Sequence, residues 1–429
     1  MKVISIISFA PKINLDPERF QDIYEYTEHY EKNVGRVQYL DVDEPVKRVF
    51  FYDEFALNQA ERLVPFYDGE NVDVELWRPY RDIKEVHEKN INGVNCKLIP
   101  AVVQKDRFGR KHTISNLMIE MLKNEVRKGT VLITNFPSNF TQYVLEELGP
   151  NVPVIANKRG FWFERFKRQD YKTIKLPYHF LKKGKQEKLF RKHYIDAYGS
   201  VSITKEFEYL ESLGFKNYFY HQDGVDFDFF VPAENKYQVR MDLGLEPDKI
   251  ILMYTGKFYS TKGADKLIAA YNNMPNRQEV QLVLIGGGQT DEYYQYGVDS
   301  GAIVIEKTKR EKLMKYYQAA DIYIMPIPES NSMRTFGGIG RSTIEALACG
   351  TPVITNQLMH FEGTEEESDR IGSRYNDEND IHLVIKKVLN QYQHYSNCRE
   401  IAKKYYEMDR CTLRLKSKVD SLFNQYYKS

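Results

Sequence analysis

Phe336 to Asn356, reading FGGIGRSTIEALACGTPVITN, carries the clearest chemistry in the chain. Gly337, Gly338 and Gly340 leave backbone N–H groups uncovered and let a ligand approach closely. Arg341, Ser342 and Thr343 then open a helix, so amides at its positive end point back at the glycines, an arrangement that binds phosphate. Glu345, inside the first turns, can accept two hydrogen bonds from a vicinal diol such as a ribose. Gly350 ends the helix, Pro352 blocks its continuation, and Pro352 to Thr355 reads as a buried strand. The competing reading is an ordinary helix packed on a sheet, with glycines used only for turns.

A second cluster is Thr255-Gly256-Lys257-Phe258-Tyr259-Ser260-Thr261-Lys262-Gly263. Gly256 permits a tight turn after the strand that precedes it. Lys257 and Lys262 put two cations on a loop at a strand's carboxyl end. They suit a diphosphate leaving group, which gains negative charge as its bond to a sugar breaks. Two surface lysines are the bland alternative. Asp41-Val42-Asp43 and Asp226-Phe227-Asp228 have a metal-binding pattern that is frequent by chance, and no metal site is assigned.

Such groups need a scaffold. Val3–Ser8, Val72–Trp77, Cys96–Pro100, Thr130–Thr134, Val152–Ala156 and Val201–Thr204 read as strands, with helical spacing over Ile114–Lys128 and again up to about Leu148. After a hinge expected at Phe230–Ala233, a second series runs through Ile250–Tyr254, Val280–Ile285, Ile303–Ile305 and Ile322–Met325, with helices between. Alternating strands and helices predict two doubly wound α/β units. Leu415, Val419, Leu422, Phe423 and Tyr426 give a C-terminal helix one apolar face. Residues 14–60 yield no clear assignment.

Composition bounds the partners. The chain has 429 residues, 42% hydrophobic and 28% charged, with a net charge of +1, so no global field recruits nucleic acid or membrane. Cys96, Cys349, Cys398 and Cys411 form no CxxC pair and fit a reducing cytosol. The apolar start MKVISIISFAPKIN is too brief for a signal peptide, and no run approaches the roughly 18 apolar residues of a membrane span. Between Lys158 and Lys192, 13 Lys or Arg face 3 Asp or Glu, interleaved with Phe161, Trp162, Phe163, Phe166, Tyr178, Phe180, Leu189 and Phe190. Three readings compete there: a solvated face, a surface for an anionic membrane or lipid-phosphate acceptor, and, weakest, a nucleic-acid surface.

Several of these pieces together resemble the glycosyltransferases of group 1, also called family 4. They are Asp223-Gly224-Val225-Asp226 with Phe230 and Pro232, Tyr254-Thr255-Gly256-Lys257 through Lys262-Gly263, Leu284-Ile285-Gly286-Gly287-Gly288, Ala319-Ala320-Asp321-Ile322 with Pro326, and Ile344 through Ile354. The order and spacing match over about residues 200–356. The resemblance implies an α/β protein of two facing Rossmann-like doubly wound domains, the GT-B architecture. Residues 1–229 would form the acceptor-side domain and 246–408 the donor domain, with 409–429 a helix crossing back to the first.

It implies a retaining, metal-independent transfer from a nucleotide-diphosphate sugar to a hydroxyl of a glycan or lipid-linked acceptor, with no cofactor beyond that donor. The setting would be the cytoplasm, with membrane association through the Lys158–Lys192 region and no nucleic-acid partner. Gly256, Gly286, Gly337, Gly338, Gly340, Arg341, Ser342 and Glu345 would bind the donor, Glu345 through the ribose. Lys257, Lys262 and Arg159 would serve catalysis. The chain departs from the pattern at three points. Gly337 stands where the family has its first acid, eight residues before Glu345, with Glu329 as a candidate substitute; Arg159 stands where the family has a histidine; and the first strand lacks its glycine-rich loop. Two alternatives follow: a protein that keeps the fold as a binding scaffold without catalysis, or a glycosyltransferase acting on nucleic acid.

Overall fold

Runs of β-branched and aliphatic residues form the interior strands of two separate sheets, and turns rich in Gly, Asn and Ser join them to covering helices. The computed structural model describes residues 1–6, 54–80, 83–105, 111–136, 138–150, 152–158, 176–201, 205–306, 308–328 and 338–428. Two compact units emerge. One comprises Met1–Ser200, Glu206–His221 and Thr412–Ser429; the other comprises Val201–Lys205 and Gln222–Cys411.

The first unit contains β1 (Lys2–Ile6), β2 (Asp73–Tyr80), β3 (His87–Ile91), β4 (Val94–Pro100), β5 (Val102–Lys105), β6 (Lys111–Ile114), β7 (Thr130–Phe136), β8 (Val154–Lys158), β9 (Ala197–Ser200) and β10 (Tyr218–Tyr220). Its main sheet has the order β10-β9-β8-β7-β1-β2-β4-β3, parallel except where β3 returns along β4. Ser115 and Ser138 cap the helices Asn116–Arg127 and Asn139–Leu148 by accepting from the N–H groups of Met118 and Thr141. Leu415, Val419 and Leu422 of the last helix, Met408–Tyr427, pack with Val3, Val131 and Ile133 in this unit's core.

The strand expected at Val201–Thr204 is a correction. The observed strand is β9, immediately upstream, and residues 202–204 lie outside the described ones. Its sequence, AYGS, has no β-branched residue to announce it. Gly199 is needed because a Cβ there would stand 2.8 Å from Asn157 Oδ1 and 3.0 Å from His221 Cβ.

The second unit contains β11 (Ile250–Thr255), β12 (Val280–Ile285), β13 (Ile303–Ile305), β14 (Ile322–Ile324), β15 (Val353–Ile354) and β16 (Gly372–Ser373). All pairs are parallel, in the order β13-β12-β11-β14-β15-β16. The chain winds outward from β11 to β13, then returns to start the other half at β14. That reversal creates a crevice at the carboxyl ends of β11 and β14, the place where open α/β sheets take their ligands. Among the described residues, no helix is long and apolar enough to cross a membrane.

Candidate functional site

The carboxyl end of β11 leads directly into Gly256 and Lys257. Gly256 has φ +148, and its N–H continues the ladder to Ile285 O at 2.8 Å. Gly286, at φ +102, ends β12 against it: a Cβ on Gly286 would lie 3.3 Å from Gly256 O. These two glycines let neighbouring strand ends close up, which is a backbone role. Tyr254 OH donates to Lys257 O at 2.8 Å, and Asp291 Oδ2 accepts from Phe258 N at 2.9 Å, so the loop bearing Lys257 is pinned on both sides.

Lys262 ends the short turn Ser260–Lys262, and Gly263 starts the helix Ala264–Asn272. Gly263 has φ +74 and sits directly under Pro326, just past β14; a Cβ on it would be 1.7 Å from Pro326 O. This contact carries Lys262 to the carboxyl end of β14. Burial pushes the Lys262 ammonium below its ordinary pKa of 10.5.

The glycine turn and helix expected from Gly337 onward begin, among the described residues, at Gly338. Gly340 is the N-cap of the helix Arg341–Ala348, and Gly350 stops it at φ +76. The Gly340 N–H is already engaged with Gln357 Oε1 at 3.3 Å, so the first-turn amides from Arg341 onward remain the donors a phosphate would meet. Arg341 reaches back toward Glu345, with Nε 4.0 Å from Oε1.

A chain of hydroxyls, not foreseen from the sequence, ties these pieces together. Tyr317 OH donates to Glu345 Oε2 at 3.0 Å, and Tyr323 OH donates to Ser342 Oγ at 2.8 Å. Thr255 Oγ1 lies 3.0 Å from Tyr323 OH and 3.4 Å from Tyr317 OH. Both phenol protons are committed, so Thr255 donates, and its single proton goes to the nearer Tyr323. The end of β11 is thereby wired to the start of the helix that follows β14. Burial raises the Glu345 carboxyl above its ordinary pKa of 4.5, opposed by Arg341, the Tyr317 hydrogen bond and Arg310.

Gly256, Lys257, Lys262, Gly286, Gly338, Gly340, Arg341, Ser342 and Glu345 thus all belong to the carboxyl end of the second unit's sheet. Arg159, Gly337, Glu329 and the Asp41–Asp43 triplet lie outside the described residues. Asp226 of the other triplet accepts the N–H groups of Asp228 and Phe229 at 3.0 and 2.9 Å, while Phe227 is buried: a turn-capping role. Of the basic segment, residues 159–175 lie outside the described ones. Leu189 and Phe190 point into the core, Phe190 edge-on to Tyr198 and Phe215, and only lysines and arginines around them face solvent. A cavity of about 280 Å³, lined by Arg240, Asp321 and Tyr392 among others, opens at the opposite, amino end of β11. There the Arg240–Asp321 pair, at 2.6 Å, fastens the β11 amide of Ile251 and serves structure.

The family described as glycosyl transferases group 1 matches residues 236–405. A D-inositol 3-phosphate glycosyltransferase from Xylanimonas cellulosilytica is 32% identical over 145 residues, which is 30% of this chain and 33% of that protein. The chain spans about a third of the length of the curated relatives it matches. Sucrose-phosphate synthase from Thermosynechococcus elongatus shares the fold with a TM-score of 0.62 at 17% identity, over 99% of both chains. HepE from Anabaena, solved in complex with UDP, does so with a TM-score of 0.60 at 11% identity, over 98% of this chain and 100% of that one. At these identities the structural likeness establishes the GT-B fold and leaves the chemistry to the site.

Proposed function

The chain belongs to the group 1 glycosyltransferase family, and on that premise we propose that it moves a sugar from a nucleotide diphosphate to an acceptor hydroxyl, with retention at the anomeric carbon and without a metal. The observation that carries this is the hydroxyl chain Thr255–Tyr323–Ser342, because it joins the lysine loop after β11 to the helix start after β14. The first-turn amides from Arg341, with Lys257 and Lys262, stabilise the diphosphate as the bond to the sugar breaks. Glu345 accepts from the ribose hydroxyls. Its Oε2 already takes the Tyr317 proton, which orients the carboxylate before any ligand arrives. Arg159 is assigned to the sugar-facing side on sequence position alone.

The acceptor is a glycan or a lipid-linked hydroxyl, met in the cytoplasm, with the basic residues of the 158–192 segment drawing the protein to an anionic surface. UDP-glucose is the first donor to test, since a fold neighbour, HepE, was also solved in complex with UDP-glucose. The experiment is a turnover assay over UDP-, GDP- and ADP-sugars, with NMR of the product's anomer. Transfer or slow hydrolysis with retained configuration supports the reading. Diphosphate binding with no turnover on any donor favours the scaffold alternative, which the glycine at position 337 and arginine at 159 motivate.

Glu345 makes a further prediction with two opposite signs. Its folded-state pKa lies above its unfolded value, so the native state holds the extra proton. Stability therefore falls as pH rises from the ordinary carboxylate range upward. Glu345→Gln removes that penalty and should raise the melting temperature at neutral pH, by about 2–4 °C for each kcal/mol recovered. Nucleotide affinity should fall about tenfold, because an amide offers one acceptor oxygen in place of two. A thermal melt beside a calorimetric titration checks both.

A further inference from the structure

The turn that opens the 341–348 helix is held from outside. Gln222 Nε2 donates to Ile339 O at 2.9 Å, across 117 residues of sequence. Gly338 is pressed so closely on Val201 that a Cβ would stand 2.4 Å from Val201 O. These two supports share a topological property. The chain leaves the first unit at Ser200, joins the second at Val201–Lys205, returns for Glu206–His221, and re-enters the second at Gln222. Both crossovers therefore end on the same turn.

Gln222 and Ile339 are buried, at 9% and 1% exposure, so water does not replace a lost partner cheaply. The neighbour of Gln222 is equally constrained inside the first unit. Asn157 Nδ2 donates to Gln59 Oε1 at 3.1 Å, and Gln59 Nε2 meets His221 Nε2 at 2.7 Å. The Gln59 amide is a donor, so His221 Nε2 must accept and its proton sits on Nδ1. The His221 N–H also bonds Ser200 O at 2.9 Å. Adjacent residues are thus clamped, one in each unit.

We propose that Gln222 is a positioning residue for the donor diphosphate, and that it couples diphosphate affinity to the conformation of the crossover. This rests on the donor-site reading above. The side-chain amide holds the Ile339 carbonyl turned away from the helix start, so that only N–H groups face the phosphate. Without that donor the buried carbonyl seeks another, and an oxygen swung toward the phosphate repels it. The adenine, guanine or uracil end of the ligand does not touch this peptide and is indifferent to it.

The test is calorimetric titration of the full chain with UDP and UMP, GDP and GMP, and ADP and AMP. Gln222→Met keeps the side-chain length and removes the donor; Gln222→Asn keeps the amide but falls short of Ile339. A thermal melt of each variant accompanies the titration, so a folding defect in the first leaves the second to decide. The expected result is a loss of about tenfold in diphosphate affinity with monophosphate affinity changed by less than about twofold. In the transfer assay, donor KM should rise by more than kcat falls. Equal losses for both nucleotides, or none for either, overturn the proposal. A wild-type chain that binds none of the three diphosphates overturns the donor-site reading, and this coupling with it.

Discussion

Lys262→Ala is expected to reduce sugar transfer by about 100- to 1,000-fold, the effect of removing one preorganised group that meets charge developing in the transition state. The position of the lysine explains the size. Gly263 wedges under Pro326 and carries Lys262 to the end of β14, where partial burial strips the ammonium of water. A charge in such surroundings interacts more strongly with a diphosphate than one in bulk solvent. Its depressed pKa gives two pH signatures of opposite sign. The unfolded chain holds the proton to higher pH than the native state, so the stability of the free protein rises with pH in the alkaline window below 10.5. Binding a diphosphate favours the protonated lysine, so donor affinity falls across the same window. Lys262→Arg keeps its charge there and should move the fall to higher pH. Titrations and melts from neutral to alkaline pH read both slopes.

Gly263→Ala is expected to destabilise the second unit by about 3 kcal/mol or more, through a strained left-handed backbone and a collision with another backbone. The new Cβ would lie 1.7 Å from Pro326 O and 2.8 Å from Pro326 C, so no side-chain rotation relieves it. For a unit of this size the melting temperature should drop by roughly 6–12 °C. Activity should fall further than stability alone requires, because relief of the clash moves Lys262 away from β14. Gly288→Ala is the control. Nothing lies within 4 Å of a Cβ at Gly288, and the change should stay within about 0.5 kcal/mol.

What could be read in the sequence was local. β11, β12 and β7 announce themselves as IILMYT, VQLVLI and TVLITNF, runs that suit a strand buried on both faces. The helix at Arg341 is legible because its start and stop are marked by glycines within ten residues of each other. The resemblance over residues 200–356 then orders these pieces into a two-sheet fold. Features made by tertiary pairing were not legible. Tyr317 and Tyr323 look like core aromatics in a helix and a strand, and only the folded chain shows their hydroxyls meeting Glu345 and Ser342. Gln222 and Gln357 carry no local signal, since each acts on a peptide more than ten residues away. The helix Glu54–Leu63 and the exposed β5–β6 hairpin were missed for a different reason: neither has a long apolar run. Leu189 and Phe190 show the reverse error, since their place among lysines suggested a surface and packing put them in the core.

The most direct test of the donor site is amide hydrogen exchange of the wild-type chain with and without saturating UDP, followed peptide by peptide. Added protection over residues 255–263 and 338–346 is the predicted result, because the diphosphate occupies the lysine loop after β11 and the helix start after β14 together. Protection confined to the Arg240–Tyr392 cavity or to the first unit, with those two segments unchanged, would contradict it.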